Sequence, residues 1–262
     1  MTQQNHTPVT ARPPLRIGLV GRGRLGTTLA AALREAGQEV DGPAGRGERP
    51  AGDVLLLCVP DAEIPAAAAA VAGAAPRVGH TSGATPLAAL EPAGADGNFG
   101  LHPLQTFPAA LEEGALARFA EIGCAVAGST PAALETATEL ARSLGMRPFP
   151  IDDEGRAAYH AAASVASNFL VTLQAAAERI AAGAGLEPGA ARELLAPLVR
   201  TTVDSWASLG PERALTGPVA RGDRATVEAQ RRAVADAAPE LLDLFDELVE
   251  RTEALAGRAV PA

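Results

Sequence analysis

Residues 16–26, RIGLVGRGRLG, constrain this chain more than any other segment. A short apolar run (Ile17, Leu19, Val20) leads into Gly21-x-Gly23-x-x-Gly26, and an alanine-rich stretch of helical texture follows over 27–36. Strand, glycine turn and helix is the order in which a dinucleotide-binding fingerprint operates. Gly21 permits the tight turn, Gly23 the close approach of backbone to pyrophosphate, and Gly26 the close packing of helix on strand. The free N–H groups at the helix start, with their partial positive charge, would face the phosphates. Gly21, Gly23, Arg24, Leu25 and Gly26 are therefore the first cofactor-binding candidates. A glycine-rich loop with no ligand is the plainer alternative.

The rest of the first half fits the same architecture. Short apolar runs at 39–42, 53–59, 77–81, 98–101, 123–127 and 147–151 alternate with alanine-rich stretches, the pattern of βα units on a parallel sheet. Pro65 opens one helix. Thr85-Pro86 and Thr130-Pro131 each read as an N-cap followed by proline at the first helical position. The texture changes at residue 152. Asp152, Asp153 and Glu154 place negative charge where a helix would begin, and an almost wholly apolar helix is expected from there to about 183. Further helices are expected, broken at 185–189, 210–211, 217–218 and Pro239. In the last one Leu241, Leu244, Phe245, Leu248, Thr252 and Leu255 recur at helical spacing and predict one buried face. The expected fold is an α/β N-terminal Rossmann domain over 14–151 plus an all-α C-terminal domain over 152–258. A helix as apolar as 157–182 needs cover on most sides, which predicts a homodimer built through the C-terminal helices.

Composition removes several function classes. With 262 residues, 47% apolar and 20% charged, the chain has the make-up of a globular protein with ample core. A net charge of −9 without a basic run argues against nucleic acid. Every basic side chain other than histidine is arginine, so no lysine can form a Schiff base or serve as a general acid. Cys58 and Cys124 lie in apolar, strand-like runs and read as structural thiols, with no disulfide framework and no metal site. Residues 1–14 are polar and proline-rich, unlike a signal peptide, and no run approaches the roughly 18 apolar residues of a membrane span. A cytoplasmic protein with a small-molecule substrate is the expectation.

The coenzyme can be narrowed. NAD-binding versions of the motif place an acid about 20 residues on, at the tip of the second strand, whereas NADP-binding versions use arginine there. Asp41 falls near that distance but inside the expected strand. The following loop supplies Arg46 and Arg49, whose forks suit a 2′-phosphate, so NADP is favoured over NAD. Ordinary solvated loop charge is the alternative for both arginines.

Polar residues gather where a Rossmann domain meets its ligands, beyond the carboxyl ends of strands: Val59, Pro60 and Asp61; His80, Thr81 and Ser82; His102 within LHPLQTF. Val59, Pro60 and Ser82 join the cofactor candidates. On the expected long helix His160, Ser164 and Asn168 follow at i, i+4 and i+8, a polar stripe on an apolar surface. Such groups cost free energy unless paired, so a structural network and a substrate site are both open. His80 reads as structural and His102 as functional. Around a glycine–proline break stand Thr216, Arg221 and Asp223. Asp223 is placed to cap the next helix, and Arg221 could hold a carboxylate or pair with a neighbouring acid.

Taken together, GRGRLG, VPD, HTSG, LHPLQTF, YHAAASVASNF and LTGPVARGD, in that order over about residues 14–256, resemble a family of Rossmann-like NADP oxidoreductases. The C-terminal half in that family is a helical domain of unknown function. It belongs to the 6-phosphogluconate dehydrogenase-like superfamily, with ketopantoate reductase and pyrroline-5-carboxylate reductase. The resemblance implies an NADP-binding N-terminal domain, a helical dimerisation domain, a site between them, and ketopantoate as a candidate substrate. One departure stands out. The better-known ketopantoate reductases carry a lysine a few residues before an asparagine on the first long helix; here Ser164 precedes Asn168, and no lysine exists. If a carbonyl is reduced, His160 is the first candidate for proton donor and His102 the second. Asn168 would orient the reacting group, and Thr216 and Arg221 would bind substrate. A cyclic-imine reductase and a non-catalytic NADP-binding sensor are the alternatives.

Overall fold

The computed structural model describes residues 15–257. The expectation for residues 1–14 and the outer ends of both expected domains fall outside that range. The chain forms two compact units, the first ending at Val165 and the second beginning at Ala166.

The first unit is built on a seven-stranded sheet of order β2-β1-β3-β4-β5-β6-β7. Its strands are β1 (Arg16–Val20), β2 (Glu39–Ala44), β3 (Val54–Leu57), β4 (Arg77–His80), β5 (Gly97–Pro103), β6 (Gly123–Gly128) and β7 (Arg147–Pro150). All four residues of β3 are buried, as an unbroken apolar run should be when both sheet faces are covered. Ile17, Leu19, Val54 and Leu56 join one core cluster, beneath helices α1 (Arg24–Glu35) and α3 (Pro131–Ser143). Val20, Leu55 and Leu57 join the opposite cluster, with α2 (Ile64–Ala70) and a 3-10 segment, Leu87–Ala93.

Four expectations are corrected. The sheet is mixed rather than parallel, because β5 and β6 pair antiparallel, with His102 opposite Ala125. The link between them holds only a 3-10 turn, Leu116–Arg118, and without a crossover helix the chain returns in the opposite sense. Thr85 caps no helix: its Oγ1 accepts from the Ser82 hydroxyl at 3.0 Å, and the Leu87 N–H instead donates to the Asp153 carboxylate at 3.1 Å. The apolar run after 152 is two helices, α4 (Arg156–Ala166) and α5 (Asn168–Ala181), separated at Ser167 with φ −121° and ψ −71°. Of the acids at 152–154, which precede α4, Asp152 accepts the Gly155 N–H at 2.7 Å and Asp153 accepts from Arg156 at 2.9 Å as well as from Leu87.

The second unit is wholly helical: α5, α6 (Pro188–Leu209), α7 (Pro211–Ala214), α8 (Pro218–Arg221), α9 (Arg224–Ala237) and α10 (Leu242–Leu255). The glycine–proline breaks fall where the sequence places them. The fourth correction concerns α10, which has no buried residue, and Leu248 and Leu255 stand exposed. Among the described residues, no helix is long and apolar enough to cross a membrane.

The cap on α3 can be tested alone. Thr130 Oγ1 accepts the Ala133 N–H at 3.2 Å, the reciprocal of an otherwise orphaned donor. Thr130→Ala is expected to lower unfolding free energy by about 1 kcal/mol in urea titration with an unchanged m-value.

Candidate functional site

Because β2 and β3 flank β1 on opposite sides, the strand order reverses there, and a crevice opens beyond the carboxyl ends of β1 and β3. The glycine turn lies in that crevice. Gly21 has φ +118°, and a Cβ there would overlap the Cys58 carbonyl; a Cβ at Gly26 would overlap the Gly21 carbonyl. Packing within the chain therefore explains both glycines. Gly23 is different. Its φ of −73° and ψ of 177° suit any residue, and an added Cβ meets nothing within 4 Å. No side chain caps α1, whose first turn follows directly from Gly23.

Two hollows meet at this turn. The larger, about 580 Å³, is lined by Gly21, Arg22, Gly23, Arg46, Glu48, Val59 and Pro60 among others. The second, about 390 Å³, is lined by Gly23, Arg24, Leu25, Gly26, Val59, Asp61, Thr81, Ser82 and Phe107. All nine residues expected to hold a cofactor line one hollow or the other. Asp41 lies within β2, not at its tip, and its carboxylate accepts the Ala51 N–H at 2.7 Å. Arg49 donates to the Ala72 carbonyl at 2.7 Å, while Arg46 reaches Glu63 at 3.0 Å. Sequence reasoning missed the more organised pair. Arg22 donates through one nitrogen to both Glu48 oxygens, at 2.9 and 2.7 Å, and through Nε to the Pro43 carbonyl at 3.1 Å. The Gly45 N–H, then Arg22, hold the Glu48 carboxyl below its ordinary value. Arg22 was findable as the variable residue between the first two glycines.

A second group of polar residues lies past the ends of β4 and β5. His80 is fully buried, and its Nδ1 accepts the Ser82 N–H at 3.2 Å. Desolvation, reinforced by the Arg156 guanidinium, pushes His80 down to about 4, which fits its structural reading. Ser82 Oγ accepts the N–H groups of Ala84 and Thr85 at 3.1 and 2.9 Å, closing a turn. The next residue, Gly83, abuts His102: a Cβ there would lie 2.8 Å from the imidazole Cε1. His102 Nδ1 lies 2.6 Å from the Tyr159 hydroxyl, and its ring meets those of Tyr159 and His160 edge-on at 5.6 and 6.3 Å. Phe149 of β7 backs Tyr159 at 5.9 Å. Desolvation first, then His160 and Arg156, push His102 down to about 4, against the pull of Asp61. Desolvation also pushes the Tyr159 phenol up to about 12. Cys58 and Cys124 are pushed to about 12 by burial and are inert thiols at neutral pH.

The expected catalytic set is thus divided between the two units. His102 and His160 come together, and Ser164 is half-buried farther along α4. Asn168 is exposed as the first residue of α5 in the second unit, so the stripe it was to share with His160 and Ser164 is not one continuous helix. Thr216 and Arg221, also in the second unit, are exposed before and at the end of α8. Asp223 caps α9, accepting the Thr226 N–H at 3.1 Å. Tyr159 was missed as a site residue, although it is the only tyrosine in the chain and adjoins His160.

Residues 122–252 match the model of the Domain of unknown function (DUF2520). The chain belongs to the DUF2520 family. Solved structures share the fold of this DUF2520 protein along nearly its whole length. A Thermotoga maritima protein is 27% identical with TM-score 0.73, and a candidate NADP oxidoreductase from Bacteroides fragilis is 22% identical with TM-score 0.74. Both alignments cover 92% of this chain and 98% of the other. Pyrroline carboxylate reductase from Plasmodium falciparum, solved with NADP bound, has TM-score 0.56 at 10% identity, covering 92% of this chain and 98% of that one. Among curated proteins none matches. These likenesses establish a Rossmann unit followed by a helical one.

The buried histidines have a measurable consequence. An unfolded histidine takes its proton near pH 6.5, whereas His80 and His102 stay neutral in the fold down to about 4. Below pH 6.5 the unfolded state binds more protons, so stability is complete above that pH and falls as pH drops toward 4. In histidine NMR both rings are expected to remain neutral above about pH 5. A ring of either residue titrating near pH 6.5 would contradict the described burial.

Proposed function

We propose that this DUF2520 protein is an NADP-dependent reductase of a small carbonyl acid, with 2-ketopantoate the first substrate to test. Gly23 carries the reading. It is a glycine that neither backbone angles nor internal packing require, at the uncapped start of a helix, where two hollows meet. An approaching pyrophosphate accounts for it. The backbone of 21–26 would hold that group, Val59 and Pro60 would line the adenosine side, and Ser82 would border the other half. Arg22 and Arg46 are the cations available to a 2′-phosphate.

A bound nicotinamide would supply the hydride. The side chains would orient and protonate. Arg221, with Thr216, would hold the carboxylate, and Asn168 would position the polarised oxygen. The proton would come from the group around His102 and His160, with Ser164 farther along the same helix. A cyclic imine acid is the alternative substrate class, because its nitrogen can arrive already protonated. The same reading assigns homodimerisation to the helical unit, supported by the exposed Phe169, Val171, Leu194, Leu198 and Trp206.

Fluorescence titration is expected to show NADPH bound more tightly than NADH, and NADPH to be consumed with a member of a 2-ketoacid and cyclic-imine panel. Affinity for neither nucleotide would refute the proposal; tight binding without turnover would leave a sensor. Gly23→Ala separates ligand from fold: the denaturation midpoint should be unchanged, while NADPH affinity falls at least about tenfold, as one obstructed phosphate contact implies. Glu48→Gln frees Arg22 and removes a negative charge from the larger hollow, so the ratio of NADPH to NADH affinity should rise severalfold.

A further inference from the structure

We propose that Tyr159 is the group that protonates the reduced substrate, and that His102 is its positioning and proton-resupplying partner. This rests on the reductase reading and assigns the donor within it. Three observations place the pair. Thr81 and Ser82 line the second hollow, and the next residue, Gly83, lies against the His102 ring, so one imidazole separates Tyr159 from a residue that adjoins the hollow's wall. The 2.6 Å contact between His102 Nδ1 and Tyr159 Oη is the shortest hydrogen bond joining two side chains of this group. Tyr159, like His102 and His160 beside it, is only half-buried, whereas the neighbouring His80 and Arg156 are enclosed, so a substrate can reach its phenol.

The bond has two possible senses, and only one serves catalysis. If the phenol donates to Nδ1, its proton is committed to the histidine. If the neutral imidazole carries its proton on Nδ1 and donates to the phenol oxygen, the phenol proton is free to point at substrate. The second arrangement also stabilises phenolate as it forms. A hydride from bound NADPH, whose nicotinamide C–H bond would break to leave the oxidised cation, would form the C–H bond at the carbonyl carbon as the carbon–oxygen π pair moves to oxygen. That oxygen takes the proton of Tyr159, the phenolate takes the Nδ1 proton of His102, and His102 takes a proton from water at Nε2. The histidine changes tautomer and gains no net charge, which suits a ring held neutral by burial. The charged or titratable groups facing the pair are Arg156 and His160 on α4, Cys124 on β6 and Asp61 after β3. Of these Arg156 favours a developing phenolate.

Histidine nitrogen NMR of the full chain reads the sense of the bond without any turnover. The expected result is a neutral His102 protonated at Nδ1 at pH 7; an Nε2-protonated ring overturns the proposal. Tyr159→Phe should lower kcat for a ketoacid by about 10²- to 10⁴-fold, with NADPH affinity within about twofold of the parent. Because Tyr159 is the only tyrosine, growth on 3,5-difluorotyrosine changes this one phenol. Fluorine NMR then reports its ionisation, and an alkaline limb of kcat should appear at the same pH. A structural role would leave that limb unmoved. Parental kcat in Tyr159→Phe, or a fluorinated protein whose kcat ignores the phenol's ionisation, overturns the proposal and leaves the reductase reading standing. A parent chain that oxidises NADPH with no panel member removes the reductase reading, and this assignment with it.

Discussion

The seat of α1 on β1 and β3 is the contact on which the first unit depends. Gly26 brings the helix against the Gly21 carbonyl and the Cys58 side chain, closer than any Cβ would allow. That approach buries Leu29, Ala30, Ala32 and Leu33 over Ile17, Leu19, Val54 and Leu56. Apolar burial of this kind stabilises by roughly 25 cal/mol per Å². The same seating aims the uncapped helix start beyond the carboxyl ends of β1 and β3, where the strand order reverses. One packing constraint thus forms the core and the uncapped glycine turn together. It also separates the two kinds of glycine in the fingerprint: Gly21 and Gly26 serve the packing, and Gly23 does not.

The histidine group depends on a different constraint, the reversal of direction between β5 and β6. Since β6 pairs with β5 and β7 with β6, α4 emerges from β7 beside the end of β5. Arg156 then lies over Gly100, and Tyr159 reaches His102 with Phe149 behind it. Gly100 and Gly83 give way to a guanidinium and an imidazole respectively. Desolvation, reinforced by one enclosed cation that Asp153 holds, keeps both imidazoles neutral.

What could be read from the sequence was local, and what could not was set by distant partners. The glycine turn, the strand ends, the Thr130 and Asp223 caps and the glycine–proline breaks each depend on a few neighbouring residues. Thr85 misled because the donor it was to satisfy bonds Asp153, far along the chain. The antiparallel pair had no local signal, because Leu111, Ala115, Phe119 and Ile122 recur at helical spacing over a link that forms only a 3-10 turn. The break at Ser167 carries no glycine or proline to announce it, so the His160, Ser164, Asn168 stripe read as continuous. Tyr159 stood in plain view but was weighed less than the adjacent histidine, because an unperturbed histidine titrates nearer neutrality. Burial reverses that preference by holding the imidazole neutral.

The larger hollow shows how a correct spacing can point to the wrong residue. Asp41 has the distance from the glycines that an NAD-binding acid would have, yet its carboxylate is occupied by the Ala51 N–H inside the sheet edge. The acids that do line the hollow are Glu48 and Glu63, and neither is free: Arg22 and the Gly45 N–H hold the first, and Arg46 the second. A carboxylate so engaged has spent its acceptors on the protein, which weakens it as a partner for ribose hydroxyls. The guanidinium that Glu48 holds is exposed and partly solvated, and solvent screens such a surface pair. In the proposed reading a dianionic phosphate would displace that single carboxylate from the arginine, so the Arg22–Glu48 pair would open to a 2′-phosphate and not to a ribose hydroxyl.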